Sequence, residues 1–479
     1  MLFNSYEYIF LFLPIVLSVY FMLNKQKLLI LSKCWLIFAS IFFYGFLTPK
    51  YIPILLGSIF INFAIGSTLY ANTKLNKKLL LFIGILINIV CLGYFKYTDF
   101  FISTINSIFN LHINLLHIIL PLGISFYTFQ QIAYLVDSYQ GKTKEYDFLT
   151  YALFVCFFPQ LVAGPIVHHS EIIPQFNFLK NKLFNYKNFL SGLGLFSIGL
   201  FKKVLIADTL AKYASLGFDA NSHLSILESW ITIFSYTFQI YYDFSGYTDM
   251  AIGVGRMFNI ELPQNFDNPY IAKNIQEFWK RWHMTLSRFL KDYIYIPLGG
   301  NRKSNIRTYI NLFIVFLICG FWHGASWMFI LWGIVQGIAI VINRIWQKLN
   351  ISLPKYVSWT ITFLFVSLSW VLFRAQNINV AKNIYKSALG FYGFAIPKIH
   401  CGLIRYEPII SNISDKWETL SIFICPFLII MIFYTFIHSK LKVIKPNIYY
   451  SGVIAVFLFL SLMCIIQPKY QSPFIYFNF

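Results

Sequence analysis

The sequence predicts an all-α protein that crosses a membrane many times, and three observations carry that expectation. Hydrophobic residues fill 58% of the 479 positions and charged residues only 12%, about half the roughly 25% that a soluble domain uses. The apolar residues gather in runs close to the ~20 that a spanning helix needs. Lys and Arg in the short connections at both ends of the chain obey a single orientation. This composition excludes an ordinary soluble domain, a disordered chain and a fibrous one. The net charge of +20 is one that a nucleic-acid binder could carry, but not at this hydrophobicity, so no nucleic-acid partner is expected.

Taken in order, the candidate spans are 8–23, 34–47, 52–70, 79–95, 116–136, 148–166, 188–206, 229–252, 308–322, 325–343, 357–373, 420–437 and 447–466. With two or three of them re-entrant or interfacial, about 11 crossings are expected. Lys25, Lys27 and Lys33 follow the first run, and Lys74, Lys77 and Lys78 the third. Positive loops stay in the cytoplasm, which puts the N-terminus outside. Lys440, Lys442 and Lys445 separate the last two runs, so the tail 468–479 is expected outside as well. Two longer polar segments remain: 253–307, aromatic and basic, at the cytoplasmic face, and 375–419, outside. There is no internal repeat and no separate soluble unit, so residues 1–479 form one membrane domain. The seven cysteines stand singly, without zinc or redox spacing, and are expected as small buried hydrophobes.

Polar residues at membrane depth are where chemistry is to be sought. Between Arg307 and Arg344 there is no charge. A single helix there would run about 54 Å at 1.5 Å per residue, against a ~30 Å hydrocarbon layer. The stretch must therefore be two helices with a turn in CGFWHGASW, which buries His323 between Gly320 and Gly324. A histidine there can exchange protons near neutral pH; the plain alternative is a neutral ring bonded to a neighbouring carbonyl. His283 lies in FWKRWHMTLS, among Lys280, Arg281, Arg288 and Lys291. That stretch is either an interfacial helix on anionic lipid or a cationic mouth for a phosphate-bearing donor, with Arg302 extending it. Asp243 and Asp249, in or against a span, are expected to tie helices together. His168 and His169 are adjacent, so they are expected to point to different faces, and no carboxylate has suitable spacing, so no metal site is expected. Neither a phosphate-cradling glycine loop nor a GxSxG elbow occurs.

FWKRWHMTLSRFLKDYIYIPLGGNR (278–302) followed by FWHGASW (321–327) resembles the membrane-bound O-acyltransferase family, in its bacterial branch of alginate O-acetylases and peptidoglycan O-acetyltransferases. LPLGISFYTFQQIAYLVDSY (120–139), FFPQLVAGPIV (157–167), YYDFSGYTDMAIG (241–253) and LPQNFDNPY (262–270) extend the resemblance, in order, over nearly the whole chain. It implies a ring of helices around a central funnel in a bacterial cytoplasmic membrane, with His323 as the catalytic histidine and His283 as the second. It also implies a cytoplasmic acyl donor, acetyl-CoA or an acyl carrier protein, as substrate, with no bound cofactor. A basic patch suits either, since CoA carries phosphates and carrier proteins are acidic.

The chain ends SPFIYFNF, which resembles the tail that presents a tyrosine to the transferase in D-alanylation systems. The matching residue is Tyr476, a candidate acyl relay; the plain alternative is an aromatic anchor at the interface. The resemblance further implies an extracytoplasmic, serine-hydrolase-like O-acetyltransferase as partner. Two other readings stay open: a lipid or protein O-acyltransferase with a longer acyl donor, and an acetyl-group transporter without chemistry of its own.

Overall fold

The computed structural model describes residues 1–46, 48–71, 75–143, 146–220, 222–393, 397–400, 403–406, 448–465 and 474–475. The expected span 420–437, the marker lysines Lys440, Lys442 and Lys445, Lys74, and Tyr476 lie outside the described residues. Among those described, seven helices are long and apolar enough to cross a membrane: Glu7–Lys25, Pro49–Tyr70, Lys77–Phe109, Tyr186–Phe218, Asn305–His323, Trp327–Lys348 and Lys355–Arg374. Leu29–Gly45 and Ser451–Ile465 are shorter apolar helices. Among the described residues, the strand structure is a short antiparallel pairing of 397–400 with 403–406, inside the 375–419 segment.

Several expected spans differ in their limits: 188–206 extends to Tyr186–Phe218 and 229–252 to Ile226–Met257, and three more depart as follows. The run 79–95 is the middle of a 33-residue helix, Lys77–Phe109. The Asn76 side chain caps it, accepting from the backbone N–H groups of Lys78 and Leu79, and left-handed Asn110 (φ 52°) ends it. The run 116–136 becomes helical only at Ile124, after the turn at Pro121–Gly123. The run 148–166 is two short pieces, Phe148–Cys156 and Phe158–Leu161; Pro159, in the first turn of the second, suits a helix start. Apolar content alone cannot show such breaks, because buried loops and spans are equally greasy.

The centre is the 32-residue helix Ile226–Met257, started by a capping box in which Ser225 and Glu228 satisfy each other's backbone N–H groups. It is buried on nearly every side, and its polar side chains are therefore obliged to find partners inside the protein. Tyr186–Phe218 packs directly against it. A Cβ on Gly253 would stand 2.6 Å from the Gly192 carbonyl oxygen, so backbone touches backbone at that crossing, the use of glycine typical between membrane helices. Outside this core, Phe82, Leu86, Ile89 and Val90 of Lys77–Phe109 are exposed, a face that hydrocarbon can cover and water would not.

Candidate active site

His323 is the last residue of Asn305–His323, and Gly324 leaves the helix in an extended conformation (φ −165°) before Trp327–Lys348 begins. The expected turn is thus present. It is tight because Gly320 and Gly333 face each other: a Cβ on Gly320 would lie 2.9 Å from the Gly333 Cα. The His323 ring is buried (3% exposed) and edge-on to Trp332, Phe373 and Trp322, at 5.3, 5.1 and 5.0 Å between centroids.

A helix that ends in the interior leaves carbonyl groups without intrahelical partners, and here Lys77–Phe109 supplies them. Lys96 Nζ donates to the carbonyls of Trp322 (2.5 Å) and His323 (3.3 Å) and to Ser125 Oγ (3.1 Å). Tyr97 Oη donates to the Phe321 carbonyl at 2.8 Å. A cation also suits the negative end of the helix dipole. Neither residue was singled out from the sequence. The signal was a lysine twenty residues into an apolar helix, taken there as the end of a span.

His283 is not on a surface helix. It joins two short helices, Ile275–Arg281 and Met284–Leu290, whose Phe278, Trp279 and Trp282 are buried, as is His283 at 1% exposed. Its backbone is left-handed (φ 43°), a conformation that costs a non-glycine residue of order 1 kcal/mol or more. Asn265 holds it there. The fully buried Asn265 Oδ1 accepts from Thr285 N–H (3.2 Å), from Thr285 Oγ1 (3.0 Å) and from His283 Nδ1 (3.1 Å), while the Asn265 carbonyl accepts from Met284 N–H (2.9 Å). An oxygen already taking an amide N–H can only accept, so Nδ1 of neutral His283 carries the proton and Nε2 holds the lone pair. Trp322 bridges the two histidines, its ring 6.2 Å from His283 and 5.0 Å from His323. Asn265 was overlooked although its motif, LPQNFDNPY, had been noticed.

A cavity of about 440 Å³ opens among the same elements, though neither histidine is in its lining. Lys280, Lys291 and Arg344 line it together with Trp279, Phe316 and Cys319, and Cys319 is one helical turn before His323. The five basic residues expected to bind a donor therefore divide. Lys280 and Lys291 line the cavity. Arg281 is engaged with Glu277 (3.0 Å) and Asp267 (3.5 Å), and Arg288 is bidentate on Glu171 (2.5 and 3.0 Å). Arg302 is exposed and outside the lining. Arg344, overlooked in the sequence, joins the lining from Trp327–Lys348 because helix packing returns its last turns to the 276–291 region.

The described end of the tail is inside the protein. Ile475 N–H donates to Asp243 Oδ2 at 2.7 Å. Phe474 is buried and stacks on Tyr247 (4.5 Å), with Phe244 at 5.8 Å; Phe244 in turn lies edge-on to His283 at 4.8 Å. Asp243 and Asp208 both hold Lys203 at 2.7 Å, and Asp249 holds Lys202 at 2.6 Å. Both aspartates of Ile226–Met257 thus tie it to the adjacent helix, as expected from their depth.

His168 and His169 contradict the expectation that they face different ways with no carboxylate in reach. His168 is an extended cap residue (φ −98°, ψ 140°) and His169 opens the helix His169–Asn177. This change of backbone conformation brings both Nε2 atoms to one oxygen, Asp137 Oδ2, at 2.6 and 3.1 Å. A carboxylate partner was present all along, 31 residues upstream, where spacing along the chain gives no hint of it.

Residues 137–382 match the model of the membrane-bound O-acyltransferase family, and with full-length relatives in the same class the chain belongs to that family. It is a multi-pass membrane enzyme that transfers acyl groups to oxygen, which sets the transporter reading aside. The chain is 44% identical to the peptidoglycan O-acetyltransferase of Helicobacter pylori, across 100% of this chain and 98% of that protein. It is 39% identical to the probable alginate O-acetylase AlgI of Pseudomonas aeruginosa, across 82% of this chain and 75% of that one. Identity to the teichoic acid D-alanyltransferase of Bacillus subtilis is 30%, over 54% and 69%. The matched region includes both His283 and His323; Lys96 and Tyr476 lie outside it.

Proposed function

We propose that this enzyme takes an acetyl group from acetyl-CoA in the cytoplasm and passes it through the bacterial cytoplasmic membrane for O-acetylation of a cell-envelope glycan. Peptidoglycan is the first candidate, since the full-length relative carries that name. One observation carries the reading: a cavity with Lys280, Lys291 and Arg344 in its lining reaches Cys319, one turn from His323. Three cations suit the phosphates of CoA, and the apolar part suits its thioester arm. An acidic carrier protein with the same phosphopantetheine arm would use the same entrance. Loops rich in lysine put both termini on the far side, where the acceptor is.

In this reading His323 is the general base. It takes the proton of the attacking hydroxyl as that oxygen bonds to the thioester carbonyl, and returns it to the departing CoA sulfur. Neutral His283 presents a lone pair at Nε2, so it donates to a developing oxyanion only when protonated; as a neutral ring it accepts and orients the hydroxyl. The attacking group on the first transfer is Tyr476, next to Ile475, whose amide is bonded to Asp243. A phenol with pKa about 10 leaves more readily than a sugar alcohol, so the series from thioester to aryl ester to sugar ester runs downhill. An extracytoplasmic transferase of the serine-hydrolase type would then move the acetyl group to the glycan.

His323→Ala should abolish envelope O-acetylation while the protein remains in the membrane; persistence of normal ester levels would refute the assignment. Intact-mass analysis of the C-terminal peptide should find one acetyl group on Tyr476, absent in Tyr476→Phe. A long acyl chain there would replace the donor assignment, and full transfer by Tyr476→Phe would leave the tail as an anchor.

A further inference from the structure

We propose that Asp137, His168 and His169, with Tyr293 beside them, bind a divalent transition-metal ion, zinc by the chemistry of the donors. The four side chains come from three separate pieces of the fold: the end of the helix Ile124–Tyr139, the start of His169–Asn177, and the π-helical turn Lys291–Tyr295. One carboxylate oxygen, two imidazole nitrogens and one phenol oxygen meet at a point. Imidazole and carboxylate together are the N/O donor set of borderline divalent ions.

The crowding at that point is what calls for a cation. Asp137 Oδ2 lies 2.6 Å from His168 Nε2, 3.1 Å from His169 Nε2 and 2.6 Å from Tyr293 Oη. His168 Nε2 and Tyr293 Oη are in turn 2.8 Å apart. Four close contacts share at most three protons, one on each ring nitrogen and one on the phenol, and three of the contacts fall on a single oxygen with two lone pairs. A cation among them replaces the shared protons with four ligand bonds. Zinc ligands at 2.0–2.2 Å stand roughly 3.4 Å apart at the corners of a tetrahedron, so the group needs to open by less than ~1 Å.

The surroundings are those of a held ligand set. His169 Nδ1 faces Tyr146 Oη at 2.9 Å and His168 Nδ1 faces Ser170 Oγ at 2.6 Å. The Tyr146 hydroxyl can accept from His169 Nδ1–H, the tautomer that leaves that Nε2 to a metal, an outer arrangement common to metal-bound histidines. His168 Nδ1 also accepts the Ser170 backbone N–H at 3.4 Å, so binding a metal at its Nε2 moves that ring's proton to Nδ1, where Ser170 Oγ accepts it. The side chains of His169 and Asp137 are 1% and 3% exposed, and that of His168 is 28% exposed, so an ion enters past His168. Lys142, mostly in solvent, reaches only Asp137 Oδ1, at 3.9 Å. The bound ion would fasten the segment 162–168 in place. In that segment Ile166 N–H donates to Thr285 Oγ1 (3.0 Å), and Thr285 bonds Asn265, the residue that holds His283. The site is thus a structural clip whose segment is joined to the second histidine through three hydrogen bonds.

The test is metal content. Full-length protein with a tag free of histidine is purified in detergent, stripped with a chelator, given equimolar zinc, desalted and analysed by elemental mass spectrometry. About one zinc per chain is expected for the natural sequence and a background level for His168→Gln. His168 is partly exposed, so that variant should keep its monodisperse elution. Cobalt(II) in place of zinc should give the intense visible bands of a tetrahedral site in the natural protein and lose them in His168→Gln. Less than about half a zinc per chain in the natural protein, or equal retention by the variant, overturns the proposal. If His168→Gln is not recovered folded, the natural protein's stoichiometry and its cobalt spectrum decide alone.

Discussion

Lys96→Met separates the positioning of His323 from the stability of the fold. Lys96 Nζ makes two bonds to the carbonyls at the end of Asn305–His323, at 2.5 and 3.3 Å, and one to Ser125. Charge-assisted bonds contribute about 1.5–3 kcal/mol each, so the two carbonyl bonds together are worth ~3–6 kcal/mol before other terms. Against this stands the cost of holding an ammonium group at membrane depth, about 2.5–3.5 kcal/mol on insertion scales, which methionine removes while keeping nearly the same length. The two terms partly cancel, and the net loss of stability should lie between about zero and ~3.5 kcal/mol. Function has no such compensation. With the terminal carbonyls released, the last turn and His323 with it are free to shift, and a displacement near 1 Å costs on the order of a hundredfold in rate. The expected result is a protein present at normal level in the membrane whose acetyl transfer falls ten- to hundredfold. Transfer is read as O-acetyl release from purified envelope, and folding as retention time and melting of the detergent-solubilised protein. Lys96→Arg should recover part of the activity, because it restores a cationic donor. Activity within twofold of the natural protein in Lys96→Met would refute the argument that this contact sets the geometry of His323.

The remaining expectations are shorter. Lys280→Ala, Lys291→Ala and Arg344→Ala should each raise the KM for the donor several-fold with kcat little changed, the pattern of lost uniform binding. Arg281→Ala and Arg288→Ala, which break ion pairs outside the cavity lining, should instead leave KM unchanged and shift thermal stability by roughly 1 kcal/mol or less; steady-state kinetics and melting distinguish the two sets. Asn265→Leu strands His283 Nδ1 and Thr285 N–H without an acceptor, at about 1–3 kcal/mol each. It should lower both folded yield and activity, and Asn265→Asp, which still accepts, should recover yield more than activity. Gly320→Leu drives a side chain into the backbone of Gly333 and Phe329 and should abolish the fluorescent monodisperse peak of the tagged protein.

The elements most legible in the sequence were those whose physics is local. The turn at Gly324 follows from helix rise against bilayer thickness, and it holds whatever the rest of the chain does. Carboxylates at depth must be paired, which is why Asp243 and Asp249 could be assigned to tying helices before their lysines were known. What stayed hidden was of another kind. Lys96 was read as a boundary because a lysine in an apolar run ends it on any hydropathy count; only the far helix, with its carbonyls pointing inward, turns that cost into a function. Asp137 and the histidine pair were missed for a related reason, since the distance between 137 and 168 along the chain carries no information about their distance in space.

The basic residues of 278–302 show the same limit in a sharper form. By composition Lys280, Arg281, Arg288 and Lys291 were one patch, yet the structure divides them by chemistry. The two arginines, whose planar forks match carboxylates, are taken by Glu171, Glu277 and Asp267, whereas the two lysines are left to line the cavity. Arginine here serves the fold and lysine the cavity, and a third cation, Arg344, arrives from a helix whose sequence gave no reason to include it. A charge cluster in a membrane protein therefore indicates a region, and the carboxylates within reach decide which members of it remain for a substrate.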